Sequence, residues 1–175
     1  MTEKLAALKA LSRMPGDTGA KALEDFYQTF KSDTNVVDTW LTLQASIPSD
    51  DAAGHVRGLL KHEAFDLTNP NKVRALMTGF LNNTKAFHNK DGSGYKLLAD
   101  VVIQLNDVNA HTAAGIVGKL TQFNNCDALH QKLMLEQLKR IMATPKLNTQ
   151  VKDIVGKALA TAPKLQTVTA SPKLG

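Results

Sequence analysis

Cysteine is almost absent from this sequence of 175 residues, which has a single one, Cys126. One cysteine cannot form an internal disulfide, and one thiol is too few to hold a structural zinc ion. A reducing compartment is the simplest setting for such a chain, so the sequence predicts a cytoplasmic protein. Cys126 itself is interpreted as an inert thiol in a loop or at a helix edge.

Long apolar runs are also missing. The sequence has no stretch of about eighteen apolar residues, the length needed to span a bilayer. Residues 1–13 carry Glu3, Lys4 and Lys9 among their leucines, which argues against the uninterrupted apolar segment of an export sequence. We therefore expect no membrane partner.

The common catalytic motifs are absent as well. His62-Glu63 lacks the second histidine that would complete H-E-x-x-H, and is interpreted as a surface dipeptide at a helix end. Gly92 and Gly94 are followed by no G-K-[ST] and preceded by no strand, which argues against a phosphate-binding loop. The histidines are not spaced as pairs of metal ligands on one helix: His55, His62, His88, His111, His130. The sequence predicts neither a catalytic centre nor a metal site in this chain.

The positive charge is not distributed as a nucleic-acid-binding protein requires. The formal net charge is +5, and the excess lies in residues 131–175, which hold eight Lys and Arg against two Asp and Glu. These basic residues alternate with apolar ones at helical spacing and have no aromatic residues among them for base stacking. They are interpreted as solvated helix faces, and we expect no nucleic-acid partner.

Apolar residues recur at i, i+3, i+4 and i+7 along most of the chain, and the alternation typical of strands is nowhere sustained. This spacing predicts an all-α protein with about nine helices. The apolar stripes are Leu5/Leu8/Leu11, Leu23/Phe26/Tyr27/Phe30, Val37/Trp40/Leu41/Ile47, Val56/Leu59/Leu60, Val73/Leu76/Met77/Phe80/Leu81, Leu98/Val101/Val102/Leu105, Ala113/Ile116/Val117/Leu120, Met134/Leu138/Ile141 and Val151/Ile154/Val155/Leu159.

The spacing of the stripes indicates a repeat. A stripe arrives about every eighteen residues and a pair about every thirty-seven, which is the rhythm of two-helix solenoid repeats. We therefore predict an ARM/HEAT-like α-solenoid, a superhelical stack of antiparallel helix pairs. The pairs resemble one another poorly in sequence, so a compact irregular bundle is the alternative.

Short polar residues mark the predicted helix starts, because they can accept hydrogen bonds from the free N–H groups of a first turn. Asn35 with Asp38 resembles a capping box, and Asn69-Pro70 places a cap before a proline at the first helical position. Three further stripes follow candidate caps: Asn109, Asp127, Asn148.

A tight turn is predicted at Asp91-Gly92-Ser93-Gly94. Ser93 is a candidate cap for a helix that opens near Tyr95. We interpret this segment as structural.

Several short strings, in order over about 160 residues, resemble one known family. They are FYQTF (26–30), LQAS (43–46) after Trp40-Leu41, VRGLLKH (56–62), FDLTNPNKVR (65–74), AFH (86–88), DGSGY (91–95) and KALA (157–160). Together they are similar to the C-terminal domain of the gluzincin aminopeptidases called aminopeptidase N or alanyl aminopeptidase, especially the bacterial-type branch.

The resemblance implies a division of labour within a longer enzyme. The complete enzyme would remove N-terminal amino acids from peptides, using zinc held by H-E-x-x-H and a more distant glutamate in an upstream domain. This chain would carry no zinc and be inactive alone. Its helices would cap the catalytic domain and form the wall and entrance of a peptide chamber, so its partners would be the other domains of the same polypeptide and peptide substrates.

The resemblance also suggests boundaries. Residues 1–160 would be the C-terminal domain and 161–175 an extended tail, rich in proline, threonine and lysine. Because the stretch from Thr2 to Leu8 resembles family sequence deep inside the full enzyme, Met1 is not expected to be the natural start. A domain cut from its neighbours is also expected to expose an apolar patch or to self-associate.

Arg74 is the one candidate substrate-channel residue that the resemblance provides. The family places a basic side chain after N-P-N where it can face the peptide chamber, and an arginine there can pair with a peptide carboxylate. Bacterial relatives carry a second arginine where this chain has Gly115, so a two-point clamp is in question. The alternative is an ordinary exposed arginine beside Val73 and Met77. Four other residues of the matching strings FDLTNPNKVR and DGSGY are interpreted as residues that fix turns and helix starts: Asn69, Asn71, Asp91, Tyr95.

A second hypothesis of another class stays open. A free-standing helical-repeat scaffold, binding a protein or peptide in a concave groove, has the same apolar pattern. A natural reading frame beginning at Met1 without an upstream zinc domain would favour it.

Overall fold

The computed structural model describes residues 2–12 and 17–163. Within these ranges the chain is helical and has no β-strand, as the apolar spacing predicts. The α-helices are α1 (Thr2–Leu11), α2 (Asp17–Phe30), α3 (Thr34–Ala45), α4 (Ala52–Leu59), α5 (Pro70–Asn82), α6 (Thr84–Phe87), α7 (Ser93–Leu105), α8 (Ala110–Val117), α9 (Ala128–Met142) and α10 (Thr149–Ala160). A 3-10 helix, Leu120–Asn125, lies between α8 and α9. The predicted tail lies outside the described residues from position 164 onward.

Each predicted stripe corresponds to one of the longer helices. The nine stripes fall on α1 to α5 and α7 to α10. The sequence did not predict α6, which has four residues, or the 3-10 helix, which has six. Both are too short to show a 3.6-residue period.

The longer helices form two layers. α4, α7 and α9 pack side by side in one layer, and α3, α5, α8 and α10 do so in the other. Contacts between α3 and α4, α7 and α8, and α9 and α10 join the layers. Because short loops connect these consecutive helices, they are antiparallel neighbours. The chain is therefore a stack of helix pairs, as predicted, and not an irregular bundle.

Aromatic side chains fix the first helices to the stack. The indole Nε1 of Trp40 donates to the carbonyl oxygen of Leu23 at 2.8 Å. The His62 ring lies 5.1 Å from the Tyr27 ring and 5.2 Å from the Trp40 ring, and the Tyr27 hydroxyl donates to Glu63 at 3.1 Å. His62-Glu63 lies just after the end of α4, with Glu63 exposed as predicted, but the half-buried His62 ring also packs against α2 and α3, which the sequence did not predict.

Most predicted caps are confirmed, and two, Asn35 and Ser93, are wrong. The α3 helix is capped by Asp33, whose carboxylate accepts from the N–H groups of Asn35 and Val36, so Asn35 lies inside the first turn. Asp33 is the better acceptor because its extended backbone places the carboxylate beside those N–H groups. The confirmed caps are Asn69, Asn109, Asp127 and Asn148.

The predicted tight turn is present, but Ser93 does not cap the helix after it. Helix α7 begins at Ser93 itself, after Gly92 with φ of 73°, and Gly92 supplies no side-chain bond. The Asp91 carboxylate accepts from the Ser93 N–H at 2.8 Å and takes the role assigned to the serine. Glycine is required at position 92 because other residues rarely adopt this backbone conformation.

The surface agrees with the charge interpretation. The basic residues of the last helices are exposed: Lys132, Lys139, Arg140, Lys146, Lys152, Lys157. In the described ranges the exposed large apolar side chains are Val108 and Leu129. The expected self-association stays a prediction.

Candidate functional site

Arg74 lies on the exposed side of α5 and lines a cavity of about 310 Å³ between α5 and α8. We call this cavity the Arg74 groove, and its lining includes Arg74, Met77, Leu81, His111, Thr112, Gly115, Ile116 and Lys119. The groove therefore brings together the two positions that the resemblance singled out, Arg74 and Gly115.

The first turn of α5 determines the direction of Arg74. The Asn69 side chain accepts from the N–H of Asn71 at 3.0 Å, and Pro70 occupies the first helical position. Val73 is fully buried, so Arg74, one residue later, points away from the core. The Nζ of Lys72 lies 3.0 Å from the Asp38 carboxylate on α3 and pairs with it. Asn69, Pro70 and Asn71 thus act as structural residues.

The charge of the groove has one sign. Its ionisable residues are Arg74, His111 and Lys119, and no acidic residue of the described ranges lines it. Met77, Leu81 and Ile116 supply an apolar surface beside these groups. The groove therefore suits an anionic group attached to an apolar one.

Thr112 and Gly115 lie on the α8 side of the groove. The Thr112 N–H donates to the capping Asn109 side chain at 3.0 Å, but its hydroxyl is buried and has no hydrogen-bond partner among the described residues. Gly115 is exposed, and a Cβ placed there would have no atom within 4 Å. Neither feature has a sequence motif, and only the packing of α8 on α5 reveals them.

The DGSGY segment, residues 91–95, lies elsewhere, at the junction of α6 and α7. Hydrogen bonds from the Ser93 hydroxyl and backbone N–H lower the pKa of the Asp91 carboxyl. A Cβ at Gly94 would come within 3.0 Å of the carbonyl oxygens of Ala86 and Phe87, so only glycine allows α7 to start this close to α6. The predicted structural role of this segment agrees with these contacts.

A buried polar cluster surrounds Tyr95. Its hydroxyl lies 2.6 Å from Nδ1 of His88, and the ring is fully buried. Nδ1 of His130 lies 2.6 Å from the Asp127 carboxylate, and Nε2 lies 3.0 Å from the His88 carbonyl oxygen. Both neighbours of the His130 ring are hydrogen-bond acceptors, so each ring nitrogen faces an acceptor.

The surroundings of this cluster shift its ionisation. Burial and, secondarily, electrostatic repulsion from His130 lower the pKa of His88. Burial raises the pKa of Tyr95 above its usual range. Backbone and side-chain hydrogen bonds to His130 lower the pKa of Asp127. The cluster joins the α6–α7 loop to the first turn of α9.

The sequence missed this cluster because its histidines lie 42 residues apart. In residues 2–12 and 17–163 no three His, Cys, Asp or Glu side chains converge to hold a metal ion. Burial raises the pKa of the nearby Cys126 thiol, which favours the unreactive protonated form. These residues do not fit the catalytic zinc of an aminopeptidase.

A larger cavity of about 740 Å³ lies between the starts of α4 and α7, near His88 and Lys85. It contains no buried polar side chain without a partner in the described part of the chain. The Arg74 groove is smaller but combines Arg74 on α5 and Lys119 just after α8 with the buried Thr112 hydroxyl, so it is the better candidate site.

Comparison with known proteins identifies the family. Residues 1–160 match the family described as a domain of unknown function (DUF3458_C) with ARM repeats. The chain is 38% identical to aminopeptidase N of Haemophilus influenzae over 160 residues, 36% to that of Caulobacter vibrioides and 32% to that of Escherichia coli. A crystal structure of Legionella pneumophila aminopeptidase A in complex with aspartic acid superposes with a TM-score of 0.86 at 36% identity.

These relatives are much longer than the matched region. The match covers 91% of this chain but 18% of each aminopeptidase N, and 19% of the Legionella chain. In the part of the chain that the structure describes, no helix has the length and apolar character to cross a bilayer.

The matches in sequence and structure show that the chain belongs to the DUF3458_C family of ARM-repeat domains and corresponds to the C-terminal domain of aminopeptidase N-like enzymes.

Proposed function

We propose that this domain caps the catalytic domain of a zinc aminopeptidase and forms the wall and entrance of its peptide chamber. The parent enzyme removes N-terminal amino acids from peptides, and its zinc and catalytic residues belong to another segment of the polypeptide. The single observation that carries this proposal is the match of residues 1–160 to about a fifth of each aminopeptidase N. The predicted setting of the enzyme is the cytoplasm.

In this proposal the domain contributes access and positioning. Two layers of packed helices make a stiff wall, because each helix is held by neighbours in its own layer and across the interface. Arg74 faces the chamber, where its guanidinium can pair with a peptide carboxylate. The ligands of the zinc, H-E-x-x-H and a distant glutamate, lie outside this chain.

The absence of catalysis by the isolated chain is tested directly. The purified 175-residue chain is incubated with an alanine arylamide and added zinc, with and without a chelator. We expect the same rate as a blank, because the described residues offer no metal site. Chelator-sensitive release of the arylamine would contradict the proposal.

A test of the proposed role as a chamber wall requires the parent polypeptide. We would compare the parent with a version lacking this domain, using an alanine arylamide, a peptide of about ten residues and a folded protein with an accessible N-terminus. Loss of the domain is expected to reduce the preference for the peptide over the folded protein. An unchanged preference would contradict the role of the domain as a chamber wall.

A further inference from the structure

The bond between Asp91 and Gly92 differs chemically from the other peptide bonds of the chain. It is the single Asp-Gly bond of the sequence, which has no Asn-Gly bond. An aspartate side chain can close a five-membered ring onto the next backbone nitrogen. The ring closes most readily before glycine, which has no side chain to obstruct the approach. The sequence therefore has one favoured position for this reaction.

Hydrogen bonds hold both reacting groups in the closed turn. The N–H of Gly92 donates to the carbonyl oxygen of Asn89 at 2.9 Å, and the Asp91 carboxylate accepts from the N–H of Ser93 at 2.8 Å. Ring closure requires the Gly92 nitrogen to lose its proton and to face the side-chain carbonyl carbon of Asp91. Because both hydrogen bonds oppose that arrangement, the folded turn slows the reaction.

The ionisation of Asp91 acts in the same direction. Hydrogen bonds from the hydroxyl and then from the N–H of Ser93 lower the pKa of this carboxyl, because they favour its charged form. A carboxylate is a poor electrophile, and the oxygen leaves as water far more readily from the protonated acid. When the turn opens and these bonds are lost, the fraction of reactive acid increases.

The loop between α6 and α7 holds the turn closed. The His88 ring bonds to the Tyr95 hydroxyl at 2.6 Å, and the His130 ring bonds to the His88 carbonyl oxygen at 3.0 Å. Asp91 itself is exposed, so the turn can open without disturbing the core. Exposed loops open at a lower free energy than buried helices do, and the two histidine contacts set that free energy here.

We propose that Asp91 is a modification site, which forms isoaspartate when the loop between α6 and α7 opens and is protected while the loop is closed. The Gly92 nitrogen attacks the side-chain carbonyl carbon of Asp91, and the carboxyl hydroxyl leaves as water with the proton of the nitrogen. Water then adds to the backbone carbonyl carbon of the resulting succinimide and breaks its bond to the Gly92 nitrogen, which takes back a proton. The product has the same mass, but its main chain runs through the aspartate side chain.

The isoaspartate does not fit the start of α7. It adds one carbon to the main chain next to Gly92, which has φ of 73°. A Cβ at Gly94 would already come within 3.0 Å of the carbonyl oxygens of Ala86 and Phe87, so there is no room to shift the helix start. The modified chain therefore loses the closed turn, and its thermal midpoint should be lower.

Ageing of the purified 175-residue chain at neutral pH tests the proposal, with a synthetic peptide of residues 86–97 as the open reference. Electron-transfer fragmentation distinguishes isoaspartate from aspartate at equal mass. We expect isoaspartate at position 91 in the peptide and in the chain unfolded by urea, and formation at least about tenfold slower in the folded chain. Equal rates in the folded chain and the peptide would overturn the protection. Absence of isoaspartate at position 91 from the unfolded chain would overturn the site.

Substitutions at serines separate the turn from the rest of the chain. Ser93→Ala removes the hydroxyl that bonds to Asp91, so isoaspartate should form severalfold faster in the folded chain and at an unchanged rate in the peptide. Ser46→Ala is the matched control, because its hydroxyl bonds to the Leu43 carbonyl oxygen at the end of α3. Equal rates in the two variants would contradict the role of the turn. Asp91→Glu should form no isoaspartate, which assigns the signal to this position.

The role of the loop is tested away from the turn. His130→Ala removes the contact with the His88 carbonyl oxygen and should speed the reaction in the folded chain severalfold. His55→Ala is the control, since this exposed histidine lies on α4. Equal acceleration by both would show that overall stability and not loop opening sets the rate. None of these measurements depends on aminopeptidase activity, so their failure would leave the proposed function intact.

Discussion

His88 and His130 are the same residue type in one cluster, but they have different hydrogen-bond neighbours. His130 has an acceptor at each ring nitrogen, the Asp127 carboxylate and the His88 carbonyl oxygen. His88 instead shares one hydrogen bond with the buried Tyr95 hydroxyl, and burial together with His130 lowers its pKa. These contacts join the α6–α7 loop to α9.

The lowered pKa of His88 predicts how stability depends on pH. In the unfolded chain its pKa is about 6.5, so as the pH falls through this value the unfolded state takes up a proton more readily than the folded state. Stability from His88 is therefore present above about pH 6.5 and lost below it. Urea denaturation at about pH 7.5 and 5.5 should give a lower midpoint at the acidic pH.

His88→Gln is the control for this effect. Glutamine keeps a polar partner for Tyr95 but does not titrate, so the difference between the two midpoints should shrink. Asp91 and Asp127 have lowered pKa values and titrate in a more acidic range, whereas burial also lowers the pKa of His55, so the difference should shrink in the variant without vanishing. An equally large difference in the variant would show that another group is responsible.

At the scale of single residues, the sequence predicted those features that depend only on residues nearby in the sequence. Arg74 followed from the resemblance, and its exposure followed from the apolar spacing of α5. The unpaired hydroxyl of Thr112 and the contact of His88 with His130 could not be predicted, because both result from packing between distant helices. Asn35 was predicted as the α3 cap, whereas the cap is Asp33; both are good acceptors, and only the backbone conformation separates them.

Between elements, α5 approaches α3 closely at Gly79. A Cβ at Gly79 would come within 3.0 Å of the Thr42 carbonyl. The hydroxyl of Thr42 also donates to the Ala75 carbonyl oxygen at 2.9 Å, which joins the same two helices. The missing side chain of Gly79 thus lets the helices contact through their backbones.

Gly79→Ala should therefore lower the free energy of unfolding by about 1–3 kcal/mol, because the added methyl group forces α3 and α5 apart. Gly58→Ala is the matched control, since nothing lies within 4 Å of a Cβ at Gly58 in α4. There alanine should stabilise by up to about 1 kcal/mol through its helix propensity. Chemical denaturation of both variants measures the difference, and changes of the same sign would contradict the packing argument.

The helices could be predicted from the sequence where they are long enough to show the 3.6-residue apolar period. Helices of eight residues or more show two or more turns of apolar spacing, and all nine were found. α6 makes about one turn and the 3-10 helix about two, and the formation of α6 depends on its cap and on contacts such as Phe87 with Tyr95. Their existence is therefore a tertiary property, which the sequence pattern does not contain.

In the whole molecule, burial is unequal along the stack. α7 buries eight residues and contacts α4, α6, α8 and α9, whereas among the side chains described in α1 the buried apolar one is Leu8. In a stack of helices, stability comes from each element and its interfaces with neighbours. Local opening should therefore begin at α1, and α7 should open only with the whole domain.

Amide hydrogen exchange tests this gradient, with α7 expected to exchange most slowly and α1 most quickly. Leu98 in α7 is fully buried, so Leu98→Ala should cost about 2–5 kcal/mol and speed exchange in every helix whose protection requires global unfolding. Leu8→Ala removes a similar side chain at the end of the stack and should speed exchange in α1 and α2 alone. If Leu8→Ala accelerated exchange in α7 as much as Leu98→Ala does, the domain would unfold as one cooperative unit, and α1 would not open before the rest of the stack.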